Sequence, residues 1–410
     1  MAKSLNTAVL IMLAAFVAPY LADLLNRWIR VPSVVLEIIL GALIGPAVLG
    51  WAHPTDVIST ISDFGLAMLM FMAGYEIRFD QIRGKPIELA AASWFGSAVL
   101  GAGAGVLITL LIGSIDVQPT ASLHNIAPLV LGLSLTTTAL GTMLPMISDA
   151  GLLSAPVGGP VMAVGATGEF FPIVLVALLL TEGDSAQRAV LLVAFVLVAV
   201  LAAWLATRPR PPRLARLVSS TLTTSAQLAV RLTMVVVAAM LWIASHLGLD
   251  TLLGAFAAGV VMRLFLRASG TDEVEKVESK LEAIGYGFLI PFFFVVSGME
   301  LDLKALAADT SRVAMIPLFL VCFLIVRGIP VFAAYRWGKL PRAQCGALGL
   351  FASTGLPLIV AITTIGVQAG AIRASTAASL VVAGLLSVMI FPMAAIRLAL
   401  KGTGDTPRPL

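Results

Sequence analysis

Charged residues are scarce in this sequence. Asp, Glu, Lys and Arg make up 12% of its 410 residues, whereas a soluble domain carries about 25%. Cysteine is rarer still, at 2 residues, which excludes a disulfide framework. Hydrophobic residues reach 59%, which excludes a disordered chain as well as an ordinary soluble fold. The mean hydropathy of +1.02 instead indicates a helical protein that crosses the membrane many times.

Thirteen apolar segments of roughly span length follow one another, separated by short polar connections. They run at about 5–27, 31–51, 59–77, 86–114, 124–147, 158–181, 186–206, 219–247, 250–267, 281–300, 311–335, 343–370 and 373–400. Because a membrane-crossing helix takes about 20 residues, these segments account for nearly the whole chain. The sequence therefore predicts an all-α polytopic membrane protein of about 13 transmembrane helices, without a soluble regulatory domain.

The distribution of Lys and Arg predicts the direction in which the segments run. With thirteen spans and the N-terminus outside, nineteen of the 26 basic residues fall on the cytoplasmic side, five on the other side and two within spans. Cytoplasmic loops carry such an excess, so we expect the N-terminus outside and the C-terminus inside. The stretch 207–218, rich in Pro and Arg, is predicted to be a cytoplasmic hinge between two halves.

Two of the segments, the fifth and the twelfth, are interrupted by small and hydroxylated residues at 132–141 and 349–357. The residues at these interruptions are Thr136, Thr137, Thr138, Ser353, Thr354 and Gly355. Since the two segments lie seven spans apart, they run in opposite directions, as the broken helices of an inverted repeat do. The hydroxyls either line a cation path or satisfy backbone groups that the breaks leave open.

A few ionisable residues lie inside the segments, where each costs about 2.5–3.5 kcal/mol and marks a functional candidate. Glu169 lies near the middle of the sixth segment and Arg327 well inside the eleventh. Glu169 is either a structural carboxyl or a site where a cation and a proton compete. Arg327 stays protonated, which suits a counter-charge and not a proton carrier. Glu37 and Arg231 are secondary candidates with structural or gating roles.

Enzyme and nucleic-acid signatures are weak. His53, His124 and His246 fall near the ends of different segments, without metal-ligand spacing. Neither a P-loop nor a G-x-S-x-G motif occurs. The basic residues are spread over many short loops, which does not favour binding to nucleic acid. We therefore expect a protein that is not an enzyme and needs no cofactor.

Five stretches in a fixed order carry a resemblance to a known family. They are Pro32–Glu37, Gly41–Pro46, Leu69–Glu76, Leu253–Gly259 and Ile290–Met299. Together they resemble the sodium/proton exchanger domain of the monovalent cation:proton antiporter superfamily. The branch that is most similar holds bacterial sodium/proton antiporters and the membrane parts of potassium-efflux systems. The resemblance covers nearly the whole chain.

This resemblance implies a fold of thirteen helices, with inverted repeats and two crossed discontinuous helices. The implied core helices lie at about 86–181 and 311–400, and the implied panel or dimerisation helices at about 5–77 and 186–300. It also implies a homodimer, embedded in lipid in a bacterial cytoplasmic membrane. Its activity would be antiport of Na⁺, K⁺ or Li⁺ against H⁺, in the service of pH homeostasis.

The resemblance also implies roles for individual residues. The family's ion-binding acidic pair falls on Gly168 and Glu169, and its basic residue falls on Arg327. The interrupting hydroxyls of Thr137 and Thr138 are further candidate ligands. Because Gly168 replaces the first acidic member, a single carboxylate remains, and we expect electroneutral exchange of one proton per cation. The alternatives are a channel-like potassium-efflux pathway, a sodium-coupled organic-solute symporter and a membrane sensor that transports nothing.

Overall fold

The computed structural model describes residues 2–25, 31–77, 84–116, 126–153, 155–179, 185–206, 227–267, 271–308 and 310–403. Within these ranges the chain forms helices and the turns that join them, and no strand. The helices are α1 (Ala2–Leu25), α2 (Ser33–Ile44), α3 (Asp56–Tyr75), α4 (Lys85–Asp116), α5 (Ala127–Leu135), α6 (Leu140–Asp149), α7 (Gly158–Leu179), α8 (Ser185–Ala206), α9 (Leu228–His246), α10 (Thr251–Arg267), α11 (Thr271–Ile284), α12 (Ile290–Met299), α13 (Leu303–Ala308), α14 (Thr310–Phe323), α15 (Ile329–Trp337), α16 (Arg342–Ala352), α17 (Leu356–Gln368) and α18 (Ala374–Thr403). Two π-helical turns, Gly285–Leu289 and Leu324–Gly328, join α11 to α12 and α14 to α15.

The surface of these helices is apolar. Phe16, Val99 and Leu110 are each more than two-thirds exposed, and many other large apolar side chains also face outward. In the described part of the chain, nine helical stretches are long and apolar enough to cross a membrane, and three shorter apolar helices accompany them. The all-α membrane fold is thus confirmed. The count of thirteen spans stays a prediction, and the predicted hinge at 207–218 lies outside the described residues.

Both predicted interruptions are real breaks in helices. The fifth predicted segment divides into α5 and α6, which are separated by residues 136–139. The twelfth divides into α16 and α17, which are separated by residues 353–355. The short hydroxylated side chains compete for backbone hydrogen bonds and so disfavour a continuous helix. Pro357 lies in the first turn of α17, where its missing N–H costs no helical hydrogen bond.

One compact unit comprises Met1–Pro54, Arg78–Pro172 and Val295–Leu410, and contains both broken helices. Within it, α2 and the end of α12 approach to backbone contact. A Cβ on Gly41 would lie 2.8 Å from the carbonyl carbon of Val295, and one on Gly298 would lie 2.9 Å from the nitrogen of Ala42. Small residues at a helix crossing permit this approach, which is how helices pack in membranes.

The second compact unit comprises Thr55–Ile77 and Ile173–Phe294. At the end of α3, the Tyr75 ring faces the guanidinium of Arg263 at 5.2 Å. Arg263 in turn pairs with Glu278 of α11, at 3.5 Å, and its side chain is buried. Arg263 of α10 thereby contacts both α3 and α11. The assignment of core and panel helices made from the sequence stays a prediction.

Candidate ion site at the helix breaks

The two breaks meet in the first unit and hydrogen-bond to each other. The N–H of Ala139 donates to the carbonyl of Thr354 at 2.6 Å. The Thr138 hydroxyl donates to the carbonyl of Ala352 at 2.7 Å, and the Thr137 hydroxyl approaches the carbonyl of Gly355 at 3.4 Å. Residues more than 200 positions apart thus satisfy backbone groups that neither broken helix can satisfy alone.

Other hydroxyls close the helix ends on which they stand. Thr136 donates to the carbonyl of Leu133 at 2.8 Å, and Ser353 donates to the carbonyl of Gly349 at the same distance. The Thr354 hydroxyl donates to the carbonyl of Phe351 at 2.6 Å. These hydroxyls therefore satisfy backbone carbonyls at the breaks, as one of the two interpretations of the sequence expects. Their role in a cation path stays a prediction. Each oxygen still keeps lone pairs with which to accept a hydrogen bond or a cation.

Glu169 reaches the start of α6 from the middle of α7. Its side chain is 6% exposed, and its Oε1 accepts the backbone N–H of Leu140 at 2.8 Å. Leu140 is the first residue of α6, whose N-terminal N–H groups have no partner inside the helix. The positive end of the helix dipole stabilises an anion there. A carboxylate is thus held at the break by the helix that the break creates.

Arg327 reaches the same break from the opposite direction and is 0% exposed. Its Nε donates to the Thr138 hydroxyl at 2.9 Å, its Nη2 to the carbonyl of Val164 at 2.9 Å, and its Nη1 to the Ser97 hydroxyl at 3.5 Å. It stands in the π-helical turn Leu324–Gly328, a deviation that often marks functional positions. Three neutral acceptors from three elements fix the guanidinium in place, and none of these three is a carboxylate.

Gly168 provides the space in which this arrangement fits. A Cβ at this position would overlap the side chain of Thr138 and would lie 2.8 Å from Nη2 of Arg327. The carbonyl of Gly168 accepts the N–H of Thr138 at 3.0 Å. Both the backbone and the side chain of Thr138 therefore contact α7 at Gly168. Any side chain at position 168 must displace the arginine or the threonine.

The buried carboxylate and the buried guanidinium are therefore arranged around one short segment. Arg327 contacts its second residue, Thr138, and Glu169 contacts its end, Leu140. The two contacted residues, Thr138 and Leu140, lie two positions apart in the segment 137–140. Separate hydrogen bonds thus hold the opposite charges of Glu169 and Arg327 at the break between α5 and α6.

The secondary candidates lie elsewhere. Glu37 is buried in α2, and its Oε2 has no hydrogen-bond partner among the described residues. Arg231 is exposed on α9 and makes no side-chain hydrogen bond or ion pair within the described ranges. The crossing of the two broken helices is the place where residues 136–139 and 353–355 meet. In the part of the chain that the structure describes, neither Glu37 nor Arg231 hydrogen-bonds to this crossing.

Sequence reasoning missed two further residues. Ser97, which accepts from Arg327, left only a faint signal, a pair of serines four residues apart in an apolar helix. Arg312 is one of the five basic residues that the sequence places on the outer side, yet it is 1% exposed in α14 and donates to the Thr376 hydroxyl at 3.1 Å. A charge near the end of an apolar segment gives no sign of whether it points inward.

The fold and this site define a class of protein. Transporters place substrate and ion sites at discontinuous helices, inside a bundle of membrane-crossing helices. The chain has that architecture, with buried charges at the crossing. The model of the family "Sodium/hydrogen exchanger, transmembrane" matches residues 12–400. The chain therefore belongs to the sodium/hydrogen exchanger family.

Individual relatives agree with this assignment. The chain is 27% identical over 400 residues to YjbQ of Bacillus subtilis, an alignment that covers 95% of this chain and 62% of YjbQ. It is 24% identical to the Na⁺/H⁺ antiporter of Enterococcus hirae, over 92% of this chain and 94% of that protein. It is also 24% identical to the Na⁺/H⁺-K⁺ antiporter GerN of Bacillus cereus, over 88% of each.

A solved structure has the same fold. The sodium proton antiporter MjNhaP1 of Methanocaldococcus jannaschii superposes with a TM-score of 0.69, at 17% identity, over 98% of this chain and 100% of that one. The likeness confirms the antiporter fold that the resemblance implied. The predictions for individual site residues stay predictions.

Proposed function

We propose that this protein exchanges Na⁺ or K⁺ for protons across a bacterial cytoplasmic membrane, and that Glu169 carries both in turn. The observation that carries the proposal is a buried carboxylate fixed at a helix break, where Oε1 accepts the N–H of Leu140 at 2.8 Å. The family supports cation and proton as substrates, and GerN, whose name includes K⁺, supports a role for potassium.

Competition for one carboxylate explains the exchange. A carboxylate binds a hard cation through its oxygens or binds a proton, and the two states exclude each other. Glu169 has one oxygen engaged by α6, so the cation completes its coordination from nearby oxygens. Thr137 is the better hydroxyl ligand of the two threonines, because the Thr138 oxygen already accepts from Arg327.

Arg327 is a counter-charge in this account. A guanidinium does not release its proton at working pH, so Arg327 contributes the same charge in both loaded states. Since Gly168 brings no second carboxylate, loading with H⁺ or with one monovalent cation leaves the same net charge at the crossing. The exchange is therefore electroneutral, with one proton per cation. Proteoliposomes should show no sodium-driven current.

Alternating access completes the cycle. The core helices would move against the panel helices and expose Glu169 to one side at a time. Without a bound proton or cation this movement is disfavoured, because burying the unneutralised carboxylate in a low dielectric is costly. We further propose a homodimer in lipid, with the N-terminus outside and the C-terminus inside.

The experiment is cation-driven proton release from proteoliposomes, read with a pH-sensitive dye. Wild type should respond to Na⁺ or K⁺, with Li⁺ tested in parallel. Glu169→Gln keeps an acceptor for Leu140 but loses the charge, so exchange should disappear while the protein stays folded. Glu37→Gln is the matched control, since it neutralises a buried carboxylate that makes no hydrogen bond to the two helix breaks among the described residues, and it should retain exchange. Full exchange in Glu169→Gln would refute the proposal.

A further inference from the structure

A cavity of about 240 Å³ lies in the first compact unit, beside the half of α17 that is remote from the break. The end of α12 and the turn after it, α17, and the start of α18 form its wall. Its polar lining residues are Ser297, Glu300, Asp302, Thr363, Thr364 and Gln368. At about 30 Å³ per water, this space holds a cation with several waters.

The polar residues that line the cavity range from exposed to buried. Glu300 and Gln368 are exposed at the rim. Ser297 is 8% exposed and Thr363 is 2% exposed, so their hydroxyls lie at the floor. A solute entering from the aqueous phase thus meets a carboxylate before it meets hydroxyls.

The two buried hydroxyls that line this cavity, those of Ser297 and Thr363, differ in their hydrogen bonds. The Thr363 hydroxyl donates to the carbonyl of Ile359 at 2.8 Å and is satisfied within its own helix. Ser297, in contrast, makes no hydrogen bond to any described residue although it is more than nine-tenths buried. A buried hydroxyl without a protein partner takes a water or a ligand from the space that it faces.

The lining suits a monovalent cation. It offers hydroxyl, amide and carboxylate oxygens, the donors that hard cations prefer. No Lys or Arg is among the residues that form the wall. The C-terminal carbonyls of α17, near Gln368, add the negative end of a helix dipole. Glu300 and Asp302 are among the lining residues, and carboxylates in a cleft attract cations and repel anions.

The cavity and one of the two helix breaks lie on the same helix, α17. Thr363 stands eight residues after Gly355 on the same helix, a distance of about 12 Å along the axis. The opposite end of the broken helix begins at Arg342, on the side predicted to be cytoplasmic. We propose that this cavity is a second, weaker subsite that binds the transported cation on the outer side, between the aqueous phase and Glu169. The inference rests on the proposed function.

The first test is kinetic. Ser297→Ala removes a ligand but no charge, and should raise the apparent KM for Na⁺ or K⁺ supplied from the outer side about fivefold, with the maximal rate unchanged. Ser387→Ala is the matched control, because this buried serine of α18 bonds to Gly384 and does not line the cavity. An unchanged KM in Ser297→Ala, or an equal rise in both variants, would overturn the proposal.

The second test reports on the cavity without transport. Thr364→Cys is reacted with a cationic and an anionic methanethiosulfonate reagent, with the parent chain and its native cysteines as baseline. The cationic reagent should react several-fold faster, Na⁺ or K⁺ should slow it, and Glu300→Gln with Asp302→Asn should abolish the preference. Equal rates for both reagents, or no protection by either cation, would contradict a cation subsite.

The two proposals fail separately. Glu169→Gln should keep the reagent preference and the cation protection at Thr364→Cys while it loses exchange. Exchange that survives Glu169→Gln refutes the carboxylate mechanism and leaves the subsite standing. Exchange that is lost in Glu169→Gln, with no protection at the cavity, refutes the subsite alone.

Discussion

Gly168→Ala tests whether the crossing is packed as tightly as its contacts indicate. The added methyl would overlap Thr138 and lie 2.8 Å from Nη2 of Arg327. Overpacking of this kind costs about 1–3 kcal/mol, and loss of one buried hydrogen bond to a charged donor costs about 1.5–3 kcal/mol more. The better helix propensity of alanine returns about 1 kcal/mol. We expect a net loss of about 1.5–5 kcal/mol in the free energy of unfolding.

Gly103→Ala is the matched control for this substitution. Gly103 lies in α4 with no atom within 4 Å of the position that its Cβ would take. Alanine should be neutral there or stabilise by about 1 kcal/mol. Thermal unfolding in detergent, followed by tryptophan fluorescence, compares the two variants, and exchange in proteoliposomes compares their function. Equal unfolding midpoints and equal exchange rates would refute the steric argument.

Three other substitutions test single contacts. Thr138→Val removes the acceptor for Arg327 and the donor for Ala352, so it should lower the free energy of unfolding by about 3 kcal/mol and abolish most of the exchange. Thr138→Ser keeps the hydroxyl and should retain both stability and exchange. An inactive serine variant would count against a role of the hydroxyl. Arg327→Lys keeps the charge but not the planar fork that reaches three acceptors, so proteoliposomes should show a clear loss of exchange, and wild-type rates would disprove the positioning role. Asp250 accepts the N–H of Leu252 with its Oδ1 at 2.8 Å, at the start of α10. Asp250→Ala removes this N-terminal acceptor and should lower the free energy of unfolding by about 1 kcal/mol, whereas Asp250→Asn keeps an oxygen acceptor; equal unfolding midpoints for the alanine variant and wild type would contradict the contact.

The helix breaks could be predicted from the sequence because their cause is local. Consecutive threonines at 136–138 and the Ser-Thr-Gly sequence at 353–355 disfavour a continuous helix wherever they occur in an apolar run. Glu169 and Arg327 were also predictable, since a charge in the middle of such a run needs a partner or a cavity.

The role of Gly168 could not be predicted from the sequence. Its missing side chain matters because Arg327, 159 residues away, lies beside it. The burial of Arg312 and Arg263 depends in the same way on distant groups, Thr376 for one and Tyr75 for the other. Hydropathy places a residue along a helix but does not say which face of the helix meets a neighbour, and that face decides whether the charge is buried.

The central claim is that one proton and one cation compete for Glu169. Its most direct test is the apparent KM for Na⁺ or K⁺ as a function of pH in wild-type proteoliposomes, measured with and without a voltage clamp by a potassium or proton ionophore. At pH values where the carboxylate is mostly protonated, competition by a single proton raises the apparent KM about tenfold for each unit by which the pH falls, because the two binding equilibria are linked. The account predicts this slope, with rates that do not depend on membrane voltage. An apparent KM that is independent of pH, or one that rises about a hundredfold per unit as two protons would require, would contradict it.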